Sequence, residues 1–178
     1  MARQLLGLCL LLSWSLNAHA QETFDVVTYT PPAGWVREEL PGAAVTYTRK
    51  DNRNGTWGRI AVYKSAAGSG NLQSDFSAEW DALVAKPFKT GQPSRTTEST
   101  SQNGWRVKAG LVQFTFDQAP AAASLTTMSN GDRKMSIVVL LNSDVHQKDV
   151  DRFMASMQFA PIASRARARR SARIASMP

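Results

Sequence analysis

The chain has 178 residues, with 21 Lys and Arg against 14 Asp and Glu and a formal charge of +7. One of the basic residues stands in the first twenty positions and five in residues 164–178, which leaves fifteen against all 14 acids, a balance of +1. The alkaline character therefore belongs to the last stretch, and a basic footprint spread over a folded domain, the first mark of a nucleic-acid binder, is excluded.

The chain begins MARQ, continues LLGLCLLLSWSL and reaches NAHA before Gln21. A short basic start, a leucine-rich run and a small-x-small site make this a secretory signal peptide, with cleavage expected after Ala20 and a periplasmic or secreted product. The apolar run is shorter than the roughly 20 residues that span a bilayer, and nothing after it reads as a span. Leu8 before Cys9 argues against a lipid anchor at that cysteine. Cys9 is the only cysteine, so the mature chain has no thiol chemistry and must be held by its core. Residues 21–160 suffice for one domain.

Residues 24–30, FDVVTYT, are β-branched and aromatic and read as a first strand ended by Pro31 and Pro32. AAVTYTR and TWGRIAVYK flank DNRNG, where Asn54-Gly55 predicts a tight antiparallel hairpin. That pairing puts Val45 and Tyr47 on a face with Ile60 and Val62. Thr46, Thr48, Lys50, Trp57, Arg59 and Tyr63 share the other, the parity depending on the turn. After the loop SAAGSGN, Leu72, Phe76, Trp80, Leu83 and Val84 recur at spacings of three and four, which predicts an amphipathic helix capped by Asn71 or Ser74 and stopped by Pro87. From Ser94 to Leu141 the pattern alternates, with Asn103-Gly104 and Asn130-Gly131 as turns, and predicts a β-meander. A closing helix from about Gln147 to Met157 presents Val150, Phe153, Met154 and Met157. Beyond Pro161 the composition turns to Ala, Arg and Ser without periodicity, the pattern of a disordered tail. The order β, hairpin, helix, meander, helix predicts an α+β domain, an antiparallel sheet covered by helices.

His146 is the one histidine after the signal, too few for a structural zinc site. Ser143, Asp144 and His146 are too close together to form a triad, whose members come from separate segments, and they read as a polar loop capping the last helix. Glu38-Glu39 and Asp149/Asp151 lack calcium-loop spacing. Gly68-Ser69-Gly70 enters a helix and has the backbone to hold an anion, but without the dinucleotide fingerprint it reads as a connector. Trp35, Trp80 and Trp105 read as packing residues. The remaining constellation is the stripe Trp57, Arg59 and Tyr63, whose residue types are enriched where partners dock; packing beneath a helix is the competing reading.

FDVVTYTPPAGW, the later MSIVVLL and the final FMASMQF, in this order of elements, resemble PsbP-like and Mog-type domains, nearest the exported bacterial members. The likeness runs from about Phe24 to Phe159 and implies an α/β/α sandwich around an antiparallel sheet. The matched positions Pro32, Gly34 and Trp35 are structural, so the likeness implies no catalytic residue, and the calcium-linked role of plant relatives, which assist assembly of the oxygen-evolving complex, has no motif here. The arginine-rich tail has no counterpart in the pattern.

The sequence thus predicts an exported binding or assembly-assisting module that is not an enzyme, with Trp57, Arg59 and Tyr63 as its partner-binding residues. No cofactor, metal or specific nucleic acid is expected. The partner is a periplasmic protein or small ligand, and the chain a monomer or weak oligomer. The alternatives are a periplasmic hydrolase with an unrecognised site, or a weak binder of anionic surfaces through the tail.

Overall fold

Asp25 turns the first expected strand back on itself. The computed structural model describes residues 20–100 and 103–161, so the expected signal peptide before Ala20 and the expected disordered tail after Pro161 lie outside the described residues. FDVVTYT forms two short strands, β1 (Glu22–Phe24) and β2 (Val27–Tyr29), because Asp25 sits at φ +54°. Its carboxylate accepts from the backbone N–H of Ser65 at 2.7 Å and from the Ser65 hydroxyl, which holds a conformation that Asp tolerates better than most residues. β-propensity alone misses that break.

Seven strands of a large antiparallel sheet are consecutive in the chain within two blocks. The first is β3 (Val36–Leu40), β4 (Ala44–Asp51) and β5 (Thr56–Tyr63); a two-residue strand, β6 (Ala66–Ala67), follows. The second is the predicted meander, β7 (Arg95–Thr100), β8 (Arg106–Phe116), β9 (Ala119–Ser129) and β10 (Arg133–Leu141). The spatial order is β3-β4-β5-β10-β9-β8-β7, with β6 beside β10. β11 (Gln158–Phe159) pairs with β2 to complete a small sheet, β1-β2-β11.

The β4–β5 hairpin pairs Val45 with Val62 and Tyr47 with Ile60, the predicted faces, but its turn differs. Asp51 pairs with Thr56, leaving a four-residue loop in which Gly55 alone takes positive φ. Asp51 organises it, accepting from the Arg53 N–H at 2.9 Å and the Asn54 amide at 2.8 Å. A loop longer by two residues preserves the parity of a two-residue turn. The β8–β9 turn carries no glycine: Asp117 and Gln118 both take positive φ, 47° and 64°, the sign pattern of a type I′ turn.

The helix after the loop starts as predicted. Asn71 accepts from the Ser74 N–H at 3.1 Å and caps α1 (Leu72–Trp80). Pro87 does not stop it. A π-helical turn, Asp81–Ala85, lets Lys86 donate to the Asp81 carbonyl, and α2 (Lys86–Phe88) accepts Pro87 in its first turn, where a missing N–H costs little. The chain leaves at Lys89 in the left-handed region, φ +51°. The last helix, α3 (Gln147–Ala155), follows a 3-10 turn, Asp144–His146, capped by Ser143, whose hydroxyl accepts from the Val145 N–H.

Alternation sends two apolar sets to opposite faces of the large sheet. Val45, Tyr47, Ile60, Val62, Met135, Ile137 and Val139 pack with Val27 and Tyr29 of the small sheet and Val150 and Phe153 of α3. Phe153 meets Tyr29 and Tyr47 ring to ring at 5.1 and 5.9 Å. On the other face Phe76, Trp80 and Val84 pack on Val112, Ala123, Leu125, Val138 and Leu140. Truncating any of the large aromatics in these sets would cost about 3–5 kcal/mol. The domain is thus α+β, a largely antiparallel sheet accompanied by short helices.

Candidate binding surface

The stripe singled out in the sequence is built by β5 and its neighbours. Direct pairing places residues on a common face, and the register lines up Val36, Thr48, Arg59 and Leu140 in one row and Glu38, Thr46, Ala61 and Val138 in the next. Leu40, Ala44 and Tyr63 form a third, and Lys50 pairs with Trp57 at the end of the hairpin. The structure therefore brings Trp57, Arg59 and Tyr63 onto one face, together with Val36 and Leu40 of the edge strand.

α1 and the π turn rest on β8 and β9 of this face, and the stripe lies beside them. Tyr63 stands at the margin, half-buried. Burial pushes its phenol above the usual range; Arg59 works against that shift and Glu79 of α1 adds to it. Trp57 is also half-buried, because Phe116 reaches it edge-on at 5.6 Å across the small side chains of β9. Phe116 in turn neighbours Phe114, and Phe114 neighbours Phe88 of α2 at 5.3 Å. The aromatics of the stripe pack at the rim of the helix layer, while Arg59 is exposed. Val36 at 63% and Leu40 at 46% exposure extend the apolar surface to the sheet edge. Between them Thr46 is 1% exposed with no hydrogen-bond partner for its hydroxyl.

The other sequence candidates are accounted for by local structure. The Ser69 N–H in the glycine loop donates at 2.8 Å to Asp75, so α1's own carboxylate stands where an anion was considered. The second Asp75 oxygen accepts from Ser129 at 3.0 Å. His146 is 4% exposed and packs edge-on against Trp35, ring centroids 5.8 Å apart, with no hydrogen-bond partner for Nε2. It is a packing residue beside the Ser143 cap, more deeply buried than a polar loop suggests. Asp149 joins Trp35 and Arg49, accepting from the indole at 3.3 Å and from the guanidinium at 3.0 Å. The Pro32–Trp35 segment is a turn, with Gly34 at φ +74° and the Trp35 N–H on the Pro32 carbonyl. Trp35, Trp80 and Trp105 are all buried. Glu39 pairs with Arg37 at 3.2 Å. No cluster of metal-ligating side chains occurs among the described residues, and no helix there is long and apolar enough to cross a membrane.

Sequence reasoning missed Val36 and Leu40. VREEL alternates apolar and charged residues over only five positions after a turn, a weak signal, and its place at the sheet edge emerges only from the register.

No protein-family model matches this chain, and no curated protein matches it. Several solved structures are similar to it, two of them as follows. A crystal structure from Bacteroides thetaiotaomicron matches with a TM-score of 0.49 at 11% identity, over 75% of this chain, which spans 45% of that one. The solution structure of cyanobacterial PsbP (CyanoP) from Synechocystis sp. PCC 6803 matches with a TM-score of 0.53 at 9% identity, over 82% of this chain and 95% of that one. At such identities the likeness concerns the fold, and the fold of this chain is PsbP-like.

Proposed function

We propose that this chain is an exported, non-enzymatic binding or assembly-assisting module that docks a protein partner on the β5 face. In this reading the first twenty residues direct it to the periplasm or the outside. The mature domain is an α/β/α sandwich of the PsbP-like and Mog-type kind, with α1 and the π turn on one face and α3 on the other. The observation that carries the proposal is the arrangement of one sheet face beside α1. There two half-buried aromatics, Trp57 and Tyr63, flank the exposed Arg59, and the edge strand adds the uncovered Val36 and Leu40. Apolar area around a cation suits a partner that presents an apolar patch with a carboxylate beside it.

Arg59→Glu and Val36→Asp test this, because both side chains are exposed and surface substitutions usually change stability by no more than about 0.5 kcal/mol. The variants should melt with the wild type yet lose the protein that the wild type retains in extracts of its own host. Retention of the same protein by both variants would overturn the docking face.

A further inference from the structure

On the α3 side, the sheet's large apolar residues stand mainly on β4, β5 and β10. Farther along, the same face changes character. Register places Ser124 of β9, Leu111 of β8 and Arg95 of β7 in one row, and Thr126, Ala109 and Thr97 in the next. α3 forms a wall beside this part of the sheet and contributes Gln147, Val150, Asp151 and Met154. The cleft between wall and sheet has a volume of about 330 Å³, which lies within the range of small-molecule sites.

The floor mixes apolar and hydroxyl side chains and is accessible, with Leu111, 39% exposed, beside Ala109, Thr97, Ser124 and Thr126. The polar groups around it have unused capacity. Among the described residues, Arg95 on the β7 side and Asp151 on the α3 side make no ion pair, and Asp151 accepts only the Gln147 amide, at 2.8 Å. Opposite charges lining one cleft, Arg95 from the sheet and Asp151 from α3, leave each charged group of a dipolar molecule a complementary partner. An anion alone would be drawn to Arg95 and repelled by Asp151.

We infer that this cleft binds a small aliphatic zwitterion, an amino acid or a dipeptide. Its carboxylate lies on Arg95, its ammonium on Asp151, and its side chain over Leu111. The site occupies the sheet face opposite the β5 docking surface and does not depend on it.

The test is a titration of the purified chain followed by backbone amide resonances, with leucine, leucyl-leucine and two half-ligands, 4-methylpentanoate and 3-methylbutylamine. A zwitterion should shift the amides of Arg95, Leu111, Ser124 and Asp151, and each half-ligand should bind about tenfold more weakly or worse, having lost one charged end. Leucine binding more tightly than the dipeptide assigns an amino acid, and the reverse a dipeptide. Arg95→Gln and Asp151→Asn, both at exposed positions, should each weaken the zwitterion while leaving the remaining spectrum and the melting temperature in place. The inference is overturned by an absence of cleft shifts at about 10 mM zwitterion, a concentration that would reveal even millimolar affinity. It is equally overturned by 4-methylpentanoate binding as well as leucine, or by both variants binding as the wild type does.

Discussion

Phe76 of α1 lies so close over Gly110 of β8 that a Cβ at position 110 would stand 2.6 Å from the phenyl Cζ. The same Cβ would meet Trp80 and Pro93 at 3.1 Å. Glycine at this point lets the helix layer descend onto the sheet beside the stripe, and the helix could not sit there over a larger residue. Gly110→Ala should therefore destabilise the domain by about 1–3 kcal/mol or more through overpacking. Gly91→Ala has nothing within 4 Å to meet and should be neutral or mildly stabilising. Urea unfolding of the two variants separates the cases, and equal midpoints would contradict this packing.

Thr46 has a buried hydroxyl with no partner, and His146 a buried Nε2 with none. An apolar residue of similar shape removes an uncompensated polar group without opening a cavity. Thr46→Val is thus expected to be neutral or to stabilise by up to about 1–3 kcal/mol, the cost of a buried unsatisfied group. His146→Leu should keep the fold, whereas His146→Ala loses the packing on Trp35 and should melt lower. Calorimetric midpoints below the wild type for Thr46→Val would show that the hydroxyl is satisfied in solution.

The Asp25 carboxylate is held below its usual value of 3.8: partial burial opposes ionisation, but the Ser65 hydroxyl and N–H, aided by Arg133 and Lys64, outweigh it. A lowered acid contributes stability above the unfolded-state value and loses it as pH falls through the folded-state value. Asp25→Asn, which tolerates the same positive φ, should be less stable than the wild type at neutral pH. The difference should shrink once pH drops below about 4. Denaturant unfolding at neutral and acidic pH checks this, and a constant gap would mean the charge plays no part.

Much of the architecture was legible because the patterns were long. Val45, Tyr47, Ile60 and Val62 alternate over paired strands, and Leu72, Phe76, Trp80 and Val84 recur at helical spacing; each set is buried as its period demands. What was not legible came from single residues in unusual backbone states. Asp25 breaks a run of strand formers, and Asp117-Gln118 makes a hairpin turn without glycine. The π turn at Asp81–Ala85 carries the helix past a proline that reads as a stop. Of the surface beside α1, Trp57, Arg59 and Tyr63 could be placed on one face from alternation alone. Val36 and Leu40 could not, since nothing local reveals which strand lies next to β4. The α3-side cleft was hidden for the same reason: Arg95 and Asp151 are 56 positions apart in the sequence, and only the tertiary fold brings them to one cleft.

Site-specific photo-crosslinking tests the central claim most directly. A benzophenone side chain replaces Arg59 in one variant and Gln113, exposed on the opposite sheet face, in another, each expressed in the native host and irradiated in intact cells. A docking surface beside α1 predicts one discrete protein adduct from position 59, suppressed when Leu40→Asp is added, and no such adduct from position 113. The absence of an adduct at 59, or the same adducts from both positions, would contradict it.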